Sequence, residues 1–324
     1  MSSMKKYDVI ALGELLIDFT VNGSSVQGNP IMEANPGGAP CNVLAMLTKL
    51  GHKTAFIGKV GDDMFGRQLK DALIEVGVGT EGLIMDPDYN TTLAFVHTYE
   101  NGDRDFSFYR DPGADMMLRK EDLDHELIGG CRIFHYGSLS MTDDGCFEAT
   151  KEAIHTAKEA GAIISFDPNL RPPLWKGDLD RAKERISYGM SQCDVLKISD
   201  NEITWFTGKE YYDDGVDVIR KAFPEIKLIL VSCGADGSMA FLGDKKVTVK
   251  PFLNPNTIET TGAGDTFCAC VLHHILKKGD LDLDTDELTR MLTFANAAAS
   301  IVTTRKGALR VMPEKTEVEE YIGG

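Results

Sequence analysis

The sequence predicts an α/β protein: a doubly wound, mostly parallel sheet covered by helices on both faces, with a small β-sheet projecting as a lid. Three observations carry this. Tyr7 to Leu12 is a continuous apolar run, as a parallel strand buried on both faces requires. Further apolar runs alternate with segments of helical period, and β-α alternation of this kind gives a parallel sheet with helices on each side. Thr91 to Arg110 differs: Leu93, Phe95 and His97 alternate with Ala94, Val96 and Thr98, and Asn101-Gly102 is a hairpin turn signal.

In chain order, the Tyr7 to Leu12 strand is followed by a polar, turn-rich stretch from Phe19 to Pro36. This stretch and residues 91–110 are expected to form the lid. A helix over Asn42 to Leu50 leads to a strand over Thr54 to Ile57 and a helix over Gly66 to Val76, ended by Gly77. Beyond the lid, strands over Arg132 to Tyr136, Ala162 to Phe166, Val195 to Ile198 and Lys227 to Val231 are expected. Helices are expected between them over Cys146 to Ala160 (capped by Gly161), Leu179 to Met190, Asn201 to Phe206 and Gly215 to Ala222. Asp265 to Lys278 and Asp286 to Thr303 close the fold. No repeat, low-complexity stretch or linker divides the chain, so one domain over residues 1–324 is expected.

The chain carries 34 basic and 50 acidic side chains, a net charge of −16. Nucleic acid and anionic membrane surfaces are therefore poor partners, and an anionic ligand needs local N–H groups, arginines or metal. The apolar run after the polar N-terminus is broken by Gly13, Glu14 and Asp18, so it reads as neither signal peptide nor membrane span. Seven cysteines without paired short spacings read as reduced thiols of a cytoplasmic protein. Cys268 and Cys270 point different ways on a helix and make no metal pair, and His273 and His274 read as structural.

The run Glu259-Thr260-Thr261-Gly262-Ala263-Gly264-Asp265 before an apolar helix carries the chemistry. Its backbone N–H groups can turn toward one point, and the helix adds its positive dipole end there. Asp265 on the rim of such an anion nest suits phosphoryl transfer. A dinucleotide fingerprint lacks its third glycine, since Phe267 stands there, and no P-loop run occurs. In a parallel sheet ligands sit beyond the carboxyl ends of the strands. The polar groups there are Asp18, Gly37 to Asn42, Gly137-Ser138, Asp167 to Arg171, Ser199 to Glu202 and Ser232 to Gly234.

Along nearly its full length the chain resembles the PfkB family of ribokinase-like carbohydrate kinases, and is most similar to its fructokinase branch. The matching runs are Gly13 to Phe19, Gly37 to Val43, Phe108 to Met116, Asp167 to Arg171, Glu259 to Asp265, Phe294 to Ala299 and Arg305 to Ala308. The resemblance implies a Rossmann-like core with a β-sheet lid, passing the γ-phosphate of ATP to a sugar hydroxyl. Asp265 is then the general base, and Gly262, Ala263 and Gly264 form the anion hole. Asp18, Gly37, Gly38 and Asn42 match the sugar ligands, and Arg110 and Arg171 the residues able to meet sugar or phosphate oxygens.

For the nucleotide the resemblance implies Lys197, Ser199, Ser232, Gly234, Gly237 and Asn296, with Glu202 organising Mg²⁺. Ser199 stands where the family's usual motif has Asn. The resemblance also implies K⁺ activation, with two departures at that site: Glu259 replaces the Asp of K⁺-stimulated relatives and Val311 a later serine. The implied reaction is transfer to the 6-hydroxyl of D-fructose, with 2-keto-3-deoxygluconate as the alternative substrate. Exposed lid edges point to a homodimer.

Overall fold

The computed structural model describes residues 5–98 and 104–324. The Asn101-Gly102 turn lies outside them. In chain order, β1 (Tyr7–Leu12) leads into β2 (Leu16–Ser24) and β3 (Pro30–Gly37), then α1 (Ala39–Lys49), β4 (Thr54–Gly61), α2 (Met64–Glu75) and β5 (Gly79–Asp86). Strands β6 (Leu93–Thr98) and β7 (Arg104–Tyr109) precede α3 (His125–Gly129), β8 (Cys131–Gly137), α4 (Asp144–Glu159), β9 (Ile163–Asp167) and α5 (Leu179–Gln192). There follow β10 (Val195–Ser199), α6 (Asp200–Thr207), α7 (Tyr212–Ala222), β11 (Leu228–Ser232), β12 (Ser238–Leu242) and β13 (Lys245–Val249). Helices α8 (Ala263–Lys278), α9 (Thr285–Val302) and α10 (Lys315–Gly323) close the chain.

Among the described residues nine strands form one sheet in the order β13-β12-β11-β10-β9-β8-β1-β4-β5. Its neighbours pair in parallel except at β12, which runs antiparallel to both β11 and β13. Side chains of β1 alternate between the two faces: Val9 and Ala11 pack with α1, α8 and α9, whereas Ile10 and Leu12 pack with α4, α5 and α7. The two cores are thus divided by the sheet, as the continuous apolar strands require. Several helix starts are fixed by carboxylates; Asp63, for example, accepts from the Phe65 and Gly66 N–H groups at the start of α2.

The polar stretch 19–36 is more ordered than its composition suggests. β2 and β3 pair antiparallel there, and β2 pairs in parallel with β6, giving a second sheet in the order β3-β2-β6-β7. One side of this sheet faces solvent, with Val21 and Ile31 about half exposed, so its strands carry polar residues that resemble loop composition. β5, β12 and β13 lie at the margins of the large sheet, are partly exposed, and have no strong apolar run. The large sheet reverses its winding at β1: β4 and β5 lie on one side, β8 to β11 on the other. Ligands of such sheets bind at that reversal, beyond the strand ends.

Candidate active site

A cavity of about 480 Å³ opens beyond the ends of β9, β10 and β11, bounded by Asp18, Thr20, Asn35 and Val96 of the small sheet and by the start of α8. Strand ends supply Lys197, Ser199 and Ser232, and the start of α1 supplies Gly38, Ala39 and Asn42.

The α8 end is built by Gly262. Its φ of +76° is left-handed, and a Cβ there would lie 2.6 Å from the Ala308 Cβ, so only glycine fits. The first-turn N–H groups of a helix lack intrahelical acceptors. Ala263 N–H is used in a turn, donating to Thr260 O at 3.2 Å, so Gly262 and Gly264 are the donors left of the three expected. Asp265 sits in this first turn, buried, and its Oδ2 accepts from Asn42 Nδ2 at 2.8 Å. Burial raises its carboxyl above the ordinary value, opposed by the Asn42 hydrogen bond and by the charges of Lys197 and Arg171.

Asn42 is also buried, and its Oδ1 has no protein partner. A buried carbonyl oxygen facing a cavity wants a donor, which a ligand hydroxyl supplies. Asp18 lies nearby; a Cβ at Gly37 would collide with its Oδ2, so Gly37 makes room for the carboxylate without itself lining the cavity. Burial pushes Asp18 up to about 7, with Glu259 and Asp265 adding to the shift and Arg171 opposing it.

At the ends of β9 and β10, Lys197 is buried with its Nζ 3.0 Å from Asp167 Oδ2. Burial disfavours its charge, but Asp167 and Glu202 outweigh that and hold it protonated. A Cβ on Gly264 would sit 3.2 Å from Lys197 Nζ, so the ammonium lies beside the first turn of α8. Glu202 forms a reciprocal cap with Ser199: its Oε2 accepts from the Ser199 N–H and hydroxyl, both at 2.8 Å, while Oε1 takes the Leu170 N–H at 2.7 Å. Ser199 therefore orients Glu202. No group of three or more metal-ligating side chains occurs among the described residues.

Four expected residues stand elsewhere. Arg110 is buried in an ion pair with Asp115 at 2.7 Å and donates to Leu139 O and Thr142 Oγ1, off the cavity wall. Gly37 backs Asp18, as above. Gly237 closes a turn in which Cys233 N–H donates to its carbonyl at 2.8 Å. Asn296 Nδ2 pins the end of β13 through Val249 O and Lys250 O. Conversely, Glu14, Asn35 and Asn169 line the cavity without having been assigned a role there. Asn169 has a φ of +47°, a conformation asparagine tolerates, and this was the available signal for a shaped turn after β9. All seven cysteines are free and buried, and His273 bonds His52 at 2.7 Å, a packing role.

The fold is that of the ribokinase-like kinases, and one cavity gathers a glycine-rich helix start, an adjoining carboxylate and a lysine. Residues 6–315 match the pfkB family carbohydrate kinase profile, and the chain belongs to that family. It is 42% identical over 318 residues to probable fructokinase-6, chloroplastic, of Arabidopsis thaliana, covering 97% of this chain and 82% of that protein. The structure of a fructokinase from Xylella fastidiosa with bound ATP superposes with a TM-score of 0.88 at 32% identity, covering 97% of this chain and 98% of that one. A fructokinase from Vibrio cholerae O395 in its fructose, ADP and calcium ion bound form gives a TM-score of 0.88 at 28% identity, covering 98% and 99%. No helix among the described residues is long and apolar enough to cross a membrane.

Proposed function

We propose that the chain transfers the γ-phosphate of ATP to the 6-hydroxyl of D-fructose. The single observation behind this reading is the buried Asp265 carboxylate on the cavity wall, in the first turn of α8 beside the glycine run. The sugar oxygen attacks the γ-phosphorus, the bond to the ADP oxygen breaks, and the hydroxyl proton passes to Asp265. A carboxylate contributes by orienting the hydroxyl and receiving its proton as the new P–O bond forms. The Gly262 and Gly264 N–H groups and the Lys197 ammonium stabilise charge on the transferring phosphoryl group.

Asp18 and the free Oδ1 of Asn42 hold sugar hydroxyls, and Gly38 lets the backbone approach the ring. Ser232 and Gly234 line the nucleotide half of the cavity. Mg²⁺ suits the acids there: one or two carboxylates with phosphate oxygens and waters satisfy it. Asp167 Oδ2 is buried with the Lys197 ammonium 3.0 Å away, and Glu202, on the cavity wall, is the acid placed to act through water. When bound, the ion neutralises phosphate charge. For K⁺ the relevant contact is Glu259 Oε1, which accepts the Gly307 N–H at 2.8 Å. A fall in rate when K⁺ is replaced by a bulky organic cation is the expected sign of that ion. The small sheet acts as a lid that excludes water, and a homodimer covers its exposed edges.

A neutral sugar fits better than 2-keto-3-deoxygluconate. The cavity carries the acids Glu14, Asp18, Asp200, Glu202, Glu259 and Asp265 against Arg171 and Lys197, and Arg110, the second arginine an acid sugar would use, is engaged by Asp115. Coupled assays with fructose, ribose, 2-keto-3-deoxygluconate and adenosine test this, and faster turnover of any other substrate overturns it. Asp265→Asn should bind ATP and sugar while turnover falls by orders of magnitude; normal turnover removes Asp265 from the reaction.

A further inference from the structure

Glu14 lies in the link between β1 and β2, 3% exposed, with its side chain on the cavity wall. Its Oε1 accepts the Ala39 N–H at 2.8 Å. That N–H opens α1, whose cap residue Gly38 has no side chain and whose first turn contains no acid. Helices usually complete this end with a local Ser, Thr, Asp or Asn. Here the acceptor arrives from 25 positions away in sequence. The contact is close on both sides, since Gly38 stands at φ +131° and any Cβ on it would meet the Glu14 carbonyl oxygen. The Asn42 N–H closes the same turn onto Gly38 O at 2.9 Å, and the Asn42 side chain grips Asp265 Oδ2. A continuous chain of contacts thus runs from Glu14 through Ala39 and Asn42 to Asp265.

We propose that Glu14 is a positioning residue for the transfer: by holding the Ala39 N–H it fixes the first turn of α1, and through Asn42 it sets the orientation of Asp265. The proposal rests on the reading of Asp265 as the base. It requires an acceptor oxygen at this place more than a negative charge. Burial, which pushes the Glu14 carboxyl up to about 7, makes a neutral side chain acceptable there.

Steady-state kinetics of Glu14→Leu, Glu14→Gln, Asn42→Ala and the Glu14→Leu/Asn42→Ala pair test it, with thermal melts of each. Glu14→Leu is expected to lower kcat roughly 10- to 100-fold, the scale of a misplaced catalytic group, without raising the KM for ATP. Glu14→Gln, which keeps an oxygen for Ala39, should recover most of that loss. Adding Glu14→Leu to Asn42→Ala should cost at most about threefold more, because both act through one path. Losses that multiply in the double variant overturn the proposal, as does a higher sugar KM at undiminished kcat. If Glu14→Leu fails to fold, Glu14→Gln decides alone: a loss as large as that of Asp265→Asn overturns it, and a few-fold loss supports it. Full turnover in Asp265→Asn would instead remove the base reading and is distinguishable, since it leaves the Glu14 variants independently measured.

Discussion

Arg110 and Asp115 form an ion pair of 2.7 Å with side chains only 2% and 1% exposed. The other Asp115 oxygen accepts from Thr92 Oγ1 at 2.5 Å. Arg110 follows β7 and Thr92 precedes β6, so one carboxylate holds both ends of this hairpin where it leaves the large sheet. Glu14 does the same for the other two crossings, those into β2 and out of β3. Arg110 is therefore held at the base of the small sheet, off the cavity wall.

Asp115→Ala would leave the Arg110 guanidinium buried and uncompensated. Breaking one half of such a pair costs about 3–5 kcal/mol, whereas an apolar replacement of both partners costs less. Urea unfolding should show Asp115→Ala strongly destabilised and an Arg110→Met/Asp115→Leu pair partly restored. Similar stability of the single variant and the parent would mean that the pair does not hold the hairpin ends.

Asp18 gives a pH signature. Its folded-state value of about 7 lies above the ordinary 3.8, because burial and the charges of Glu259 and Asp265 outweigh Arg171. A raised carboxyl binds its proton more tightly when folded, so its contribution favours folding at low pH and is lost as pH rises from about 4 to about 7. Asp18→Asn should therefore stabilise the ligand-free protein at pH 8 and change little at pH 4, while abolishing tight sugar binding. In the parent, kcat/KM for the sugar should fall on acidification with a midpoint near 7. An acid limb confined below pH 5, with no stabilisation in Asp18→Asn, would rule out the shifted carboxyl.

The parallel core was legible because its strands are buried on both faces and leave unbroken apolar runs; Tyr7–Leu12 was placed to the residue. The start of α8 was legible because a glycine run before an apolar stretch of helical period marks a helix entry. The β2 and β3 strands were not, since one face meets solvent and their polar residues mimic a loop. The ion pair of Arg110 was not legible, because sequence cannot show that Asp115, five positions on, turns back to meet it. Glu14 was given no role for a related reason: its partner Ala39 offers only a backbone N–H, which no side-chain pattern reveals.

Asn42 joins two roles in one amide. Nδ2 holds Asp265, and Oδ1 is the buried acceptor without a partner. Asn42→Asp keeps the shape but replaces the donor with an acid facing Asp265, and like charges at this distance repel. It should raise the pH of the acid limb of kcat and lower kcat more than Asn42→Ala does. Equal effects of the two variants would show that the hydrogen bond to Asp265 is not part of catalysis.

Gly262 and Gly264 separate shape from charge in the anion nest. Alanine at Gly262 would have to adopt a left-handed backbone at φ +76° with its Cβ 2.6 Å from Ala308, which is itself buried. The backbone term alone costs about 1–2 kcal/mol, and the collision adds to it. The turn should then shift and take a phosphoryl donor with it, at about 3 kcal/mol of transition-state stabilisation. Gly264 has ordinary helical backbone, and an added Cβ there meets only the Lys197 ammonium at 3.2 Å, the free end of a flexible chain. Gly264→Ala should thus melt near the parent while losing turnover through a displaced Lys197, whereas Gly262→Ala should lose both stability and turnover. Melting curves and kcat for the pair read this directly, and a Gly264→Ala variant with parental kcat would place Lys197 outside the transfer.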